Sequence, residues 1–214
     1  MSENISNSEE NRGNTNNDKS KHRTEFLFRM YDQLWNSINS HLLVIWQSIG
    51  VLISAFALFA LIDKQIISID LATTLIILIC GWFFSNLYDA SYWYNRNQAI
   101  VSNIEKQLLL REDLNNIHYY FGKHRKNDMI IHFQIQFALG IVVTVIFLLY
   151  YFQTRVLFHK LEPVMIMPCI ATLMAIIYVC WVRKCLKDHY ESLIVNSPGI
   201  EINTEGVDYT RPGH

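Results

Sequence analysis

The sequence predicts an all-α protein: a four-span transmembrane helix bundle with long helices extending into the cytoplasm. Three observations carry this reading. Four runs of 18 to 21 residues, Leu42–Ile62, Leu71–Tyr88, Phe133–Phe152 and Val164–Val182, contain no Lys, Arg, Asp or Glu, and a membrane helix needs about 20 mostly apolar residues. Stretches such as VLISAFALFALI show no polar face at 3.6-residue spacing, which a helix of a soluble domain would carry. Charged residues make up 17% of the 214 positions, with a net charge of −1. Globular chains average about 25% charged, so the balance excludes a disordered chain and a basic nucleic-acid-binding domain.

Residues 1–22 are Asn/Ser/Glu-rich and predict an unstructured polar tail. No cleavable signal peptide is expected, so the first span serves as the insertion signal. Residues 23–62 form an amphipathic helix that runs into that span, with Thr24 as its cap and Phe26, Met30, Leu34 and Ile38 as its apolar stripe. Residues 63–110 hold the second span and a cytoplasmic helical extension, and 111–132 a cytoplasmic connection. Residues 133–195 supply a second transmembrane hairpin and a short cytoplasmic helix with Val182, Leu186, Tyr190 and Leu193 on one side. Residues 196–214, with two prolines and three glycines, predict a flexible tail.

Orientation follows from the basic residues. The long segments on one side of the spans hold 15 Lys and Arg, and the two short hairpins hold Lys64, Arg155 and Lys160. The positive-inside rule then places both termini in the cytoplasm, and the expected location is the bacterial inner membrane. Lys123, Arg125 and Lys126 before the third span, with Arg183 and Lys184 after the fourth, are the expected contacts to lipid headgroups.

The search for chemistry is negative. No phosphate-binding glycine loop, nucleophile elbow, zinc-protease motif or C-x-x-C pair is present. The spans contain no ionisable group except Cys and Tyr, and His118, His124 and His132 lie six and eight apart, not three or four as one helical face requires. Cys80, Cys169, Cys180 and Cys185 suggest no disulfide framework. We therefore expect no catalytic residue, metal or cofactor. Small and hydrogen-bonding residues instead repeat along the spans: Gln47, Gly50 and Ser54; Gly81, Ser85, Asn86 and Asp89; Gln136, Gly140 and Thr144. They are expected to pack helix on helix, the alternative being a polar lining for a channel or transporter. Trp93, Ile100, Ile104 and Leu108 form a stripe on the second-span extension, read as a homo-oligomer interface.

The segment SYWYNRNQAIVSNIEKQLL, residues 91–109, directly follows the second span. It resembles small bacterial inner-membrane proteins of the RipA type and the two-span SLATT-type effectors of bacterial defence systems. In both, a membrane helix runs through a Trp/Asn/Arg-rich stretch into a cytoplasmic helix. The matching positions are Trp93, Asn95, Arg96, Asn97, Ile104 and Glu105, within a region from Tyr31 to Leu110. The resemblance implies homo-oligomerisation and an antiviral defence role, and the chain departs from the two-span pattern by its second hairpin. The expected function is a non-enzymatic oligomeric membrane effector or scaffold, with membrane lipids, further copies and a cytoplasmic protein as partners.

Overall fold

The structure, a computed structural model, describes residues 3–55, 57–110, 113, 116, 129–157 and 162–196, with side chains from residue 18 onward except Phe59. Every regular element described is helical: α1 (Glu3–Ser54), α2 (Ala57–Asp63), α3 (Ile69–Leu108), α4 (Ile131–Tyr151) and α5 (Ile166–Val195). Four of them, α1, α3, α4 and α5, are long and apolar enough to cross a membrane, α4 and α5 with the short turns that adjoin them. The chain is a multi-pass membrane protein. The connection holding Lys123, Arg125 and Lys126, and the tail after Asn196, lie outside the described residues.

Two expectations for the N-terminal half are corrected. Residues 1–22, read as an unstructured tail, are helical from Glu3, because adding residues to an existing helix avoids the unfavourable nucleation step. Thr24 accordingly lies inside α1, where its hydroxyl donates to the Ser20 carbonyl at 3.0 Å. The first span is also interrupted: α1 ends at Ser54 and α2 starts at Ala57. The Leu58 N–H donates to the Ala55 carbonyl at 3.1 Å across the break. α2 then closes with the Gln65 N–H on the Ile62 carbonyl and the Ile66 N–H on the Leu61 carbonyl, both at 2.9 Å. This is a Schellman cap, with Gln65 at φ 58° where glycine is usual.

The packing is organised around α3, against which α1, α4 and α5 each lie, while α4 and α5 scarcely touch one another. α1 turns Tyr31, Leu34, Ile38, Ile45, Ser48 and Leu52 inward, and Ile38, Ile45, Leu52 and, just past its end, Ala55 are fully buried. Along α3, Thr73, Ile77, Cys80, Leu87, Ser91, Asn95, Gln98, Ser102 and Glu105 are all buried, and α1 meets it through Trp93 and Asn97. Both series follow the 3.5-residue average of a coiled-coil seam. Phe133, Val143 and Phe147 of α4 complete the same core. α5 is held by small residues: a Cβ added to Gly81 would sit 3.0 Å from the Ala175 Cβ, so the two helices are near their closest approach there. Much of α5's remaining surface, including Leu173, Met174, Ile177 and Trp181, is exposed, as expected of a lipid-facing helix.

Candidate functional site

At the hairpin end of the bundle the helices converge on one carboxylate. Ser68 caps α3, its hydroxyl accepting from the Leu71 N–H at 3.2 Å, which fixes Asp70 in the first turn where the helix dipole favours an anion. Across from it, α4 continues into a π-helical turn, Phe152–Val156. That turn brings Tyr151 and Arg155 to the same place. The Tyr151 hydroxyl donates to Asp70 Oδ1 at 2.7 Å, and Arg155 Nε lies 3.3 Å from Asp70 Oδ2. Arg155 also pairs with Glu162, just ahead of the 3-10 turn that leads into α5. Asp70 is 2% exposed. The arrangement ties α3, α4 and the approach to α5 together. Among the described residues no group of three His, Cys, Asp or Glu side chains stands where it would hold a metal, and all four cysteines are free.

Sequence reasoning missed this cluster. It began the second span at Leu71, one residue past Asp70, and counted Arg155 only as a hairpin charge. A usable signal was present: an acid in the first turn after one short hairpin and a base at the start of the other, on the same side of the membrane.

The small and polar residues of the spans fall on separate surfaces. Gln47, Gly50 and Ser54 face outward on α1, a correction to their expected role inside the bundle, because the buried seam runs through Ile45, Ser48 and Leu52 instead. A Cβ added to Gly50 would meet nothing within 4 Å. Gly81 and Ser85 are buried on α3. Asn86 and Asp89 line a cleft of about 330 Å³ between α3 and α5, together with Trp82, Tyr178 and Trp181. Gln136 is buried on the face of α4 that also carries Phe133 and Gly140. At Gly140 an added Cβ would come within 2.9 Å of the Phe83 and Phe84 rings. Thr144 donates its hydroxyl to the Gly140 carbonyl at 2.8 Å.

Beyond the spans, α1, α3 and α5 continue side by side. Here α3 stays buried but becomes polar: Ser91, Asn95, Asn97, Gln98, Ser102 and Glu105 are all covered. Asn97 donates to the Ser37 hydroxyl at 3.1 Å, Arg23 to Gln107 Oε1 at 2.6 Å, and Tyr31 makes a long 3.4 Å contact with Glu105. Gln98 is 1% exposed, and neither its amide nitrogen nor its oxygen has a hydrogen-bond partner. Such orphaned groups are uncommon in native proteins. Trp93 stacks on His41 at 5.8 Å and lies 4.9 Å beneath the Arg96 guanidinium. The stripe expected to meet another protomer is partly used up within this one. Ile104 is 2% exposed, while Trp93, Ile100 and Leu108 are half-buried. Ile100 and Ile104 line a groove of about 570 Å³ with Leu27, Met30, His189 and Leu193. The correction follows from the packing of the extensions of α1 and α5 on α3, which covers the stripe from both sides.

Of the expected headgroup contacts, Arg183 and Lys184 are exposed on α5, and the Arg183 guanidinium lies 5.9 Å over the Tyr88 ring. No protein-family model, curated protein or solved structure matches this chain.

Proposed function

We propose that this protein is a non-enzymatic effector or scaffold of the bacterial inner membrane, with both termini in the cytoplasm, which assembles with copies of itself. Its signal enters through the cytoplasmic halves of α1, α3 and α5. The observation that carries this reading is the change in character along α3. Its buried face is largely apolar within the bilayer and polar beyond it, and includes the orphaned Gln98 amide. A buried polar interface with an unsatisfied member is weaker than an apolar one of the same size. The cytoplasmic helices are thus the part of the molecule that a partner rearranges most readily. Defence against phage is the setting that the resemblance of residues 91–109 favours. Self-assembly is supported by Gln47, whose amide faces outward on a bilayer helix and gains a hydrogen-bond partner in a second copy.

The competing reading is a channel lined by intramembrane amides. Gln47, Asn86 and Gln136 lie on an outer face, in a cleft and in the core respectively, which gives a single protomer no continuous polar path through these three. The deciding experiment joins Ser37→Cys to Asn97→Cys in a disulfide and measures depolarisation of cells with a potential-sensitive dye. The effector reading expects depolarisation only on challenge with phage or another activating signal, and its loss when the cytoplasmic helices are locked. Steady flux through purified protein in liposomes, abolished by Gln136→Leu, establishes the channel instead. Reporter fusions at both termini and near Asn115 that register outside the cytoplasm overturn the orientation.

A further inference from the structure

Because α4 and α5 both lie on α3 without closing on each other, a groove of about 240 Å³ opens between them within the bilayer. Its floor is Ile77, Cys80, Gly81 and Phe84 of α3, and its walls include Thr144 and Leu148 on one side and Thr172 and Ile176 on the other. The polar groups in those walls are occupied. Thr144 donates to the Gly140 carbonyl at 2.8 Å and Thr172 to the Pro168 carbonyl at 2.7 Å. The groove offers water too few partners to hold it, and its occupant is apolar.

One end of the groove changes character. The α3 floor continues from Phe84 to Tyr88, and Phe137 of α4 packs on both rings, with centroids 4.9 and 5.7 Å apart. On the α5 side, one turn beyond Cys180, the Arg183 guanidinium lies over Tyr88, with Lys184 exposed beside it. Asp89, the nearby acid on α3, lines the separate cleft with Trp181 and Cys185. From Ile77 to Tyr88 the helix rises about 16 Å, close to one leaflet of a hydrocarbon core about 30 Å thick.

We propose that this groove is a binding site for an anionic phospholipid of the leaflet on the side of the termini. One acyl chain lies along Phe84, Gly81 and Ile77 between α4 and α5, and the phosphate is held by Arg183. The two halves of the site match the two halves of such a molecule: a dry, satisfied wall for the tail and a cation at headgroup depth.

The test is native mass spectrometry of the full chain in detergent, titrated with palmitoyl-oleoyl phosphatidylglycerol or the matching phosphatidylcholine, with thermal melting measured alongside. One basic side chain near a membrane surface favours an anionic headgroup by about fivefold. Phosphatidylglycerol should exceed phosphatidylcholine by at least that much, and Arg183→Gln should bring the two within about twofold. Cys180→Phe, which fills the groove, should remove most of the bound lipid of both kinds. Glycerol 3-phosphate, the headgroup without its tails, should neither bind nor raise the melting temperature. Retention of wild-type phosphatidylglycerol binding by both variants overturns the site, as does stabilisation by glycerol 3-phosphate equal to that by the lipid. Cys180–Cys180 cross-linking between protomers in membranes, undiminished by phosphatidylglycerol, assigns the groove to a second copy and also overturns it. Arg183 is exposed, so Arg183→Gln reports on the site even if the groove-filling variant fails to fold.

Discussion

Tyr151→Phe removes one oxygen atom from the hairpin end of the bundle and leaves Asp70 with Arg155 alone among the described residues. The lost contact is a 2.7 Å hydrogen bond to a carboxylate that is 2% exposed. Hydrogen bonds to charged groups contribute about 1.5–3 kcal/mol, and losing one exposes the buried partner to its desolvation cost. Asp70→Ala removes the same bond from the other side and also strips Arg155 of one of its two acid partners, leaving Glu162. The double variant therefore loses the bond only once. A cycle of Tyr151→Phe, Asp70→Ala and the pair, followed by reversible unfolding in mixed micelles, should give a coupling energy of about 1.5–2 kcal/mol. Each single variant should fall by at least that amount. Additive losses, with a coupling below about 0.5 kcal/mol, refute the reasoning, because they mean that the two side chains do not meet in the folded protein.

Gln98→Met replaces an orphaned buried amide with an apolar side chain of similar length, and should stabilise the protein by about 1–3 kcal/mol in the same unfolding assay; a loss of stability means that the amide has a partner after all. Gln65→Gly relieves a left-handed residue in the α2 cap and should gain about 1 kcal/mol, whereas a neutral or negative result shows that φ 58° is not held in solution. Gln47→Leu combined with Gly50→Ile removes the outward amide and the small residue on the same open face of α1. It should shift the assembly measured by mass photometry in nanodiscs toward monomer without lowering the melting temperature, and an unchanged size distribution excludes this face as the contact.

The four spans were legible because a bilayer imposes a length and a polarity that few other structures share. Gly81 and Ala175 are small where α3 and α5 meet, but nothing in the sequence names either as the other's partner. Which side of α1 faces inward was not legible either, and the cause is angular. Steps of four residues rotate a stripe by about 40° each on a helix of 3.6 residues per turn. Phe26, read as part of one stripe with Ile38, thus lies roughly 120° away from it and is 65% exposed. Leu27, eleven residues before Ile38, lies within about 20° and takes part in the packing. Gln47, Gly50 and Ser54 repeat at three and four residues just as Ile45, Ser48 and Leu52 do, but on the opposite side of α1, so spacing alone does not say which of the two sets is the seam. The Asp70 cluster was hidden for a different reason. Its members are far apart in sequence and become neighbours only when two hairpins share one side of the membrane.

α3 is one uninterrupted helix from Ile69 to Leu108. Asp70 and Glu105, buried at its two ends, are about 53 Å apart at ~1.5 Å per residue. If such a shaft turned about its axis as one body, both of its ends would turn by the same angle. A turn of about 20° imposed on the Glu105 end by a partner reaches Asp70 as the same angle, and at the ~2.3 Å radius of the backbone it displaces each Cα by less than 1 Å. The carboxylate sits further from the axis and sweeps further, enough to lengthen a 2.7 Å hydrogen bond to Tyr151 beyond its useful range. A rotation of α3 would therefore be felt at the far hairpin with no ligand having to cross.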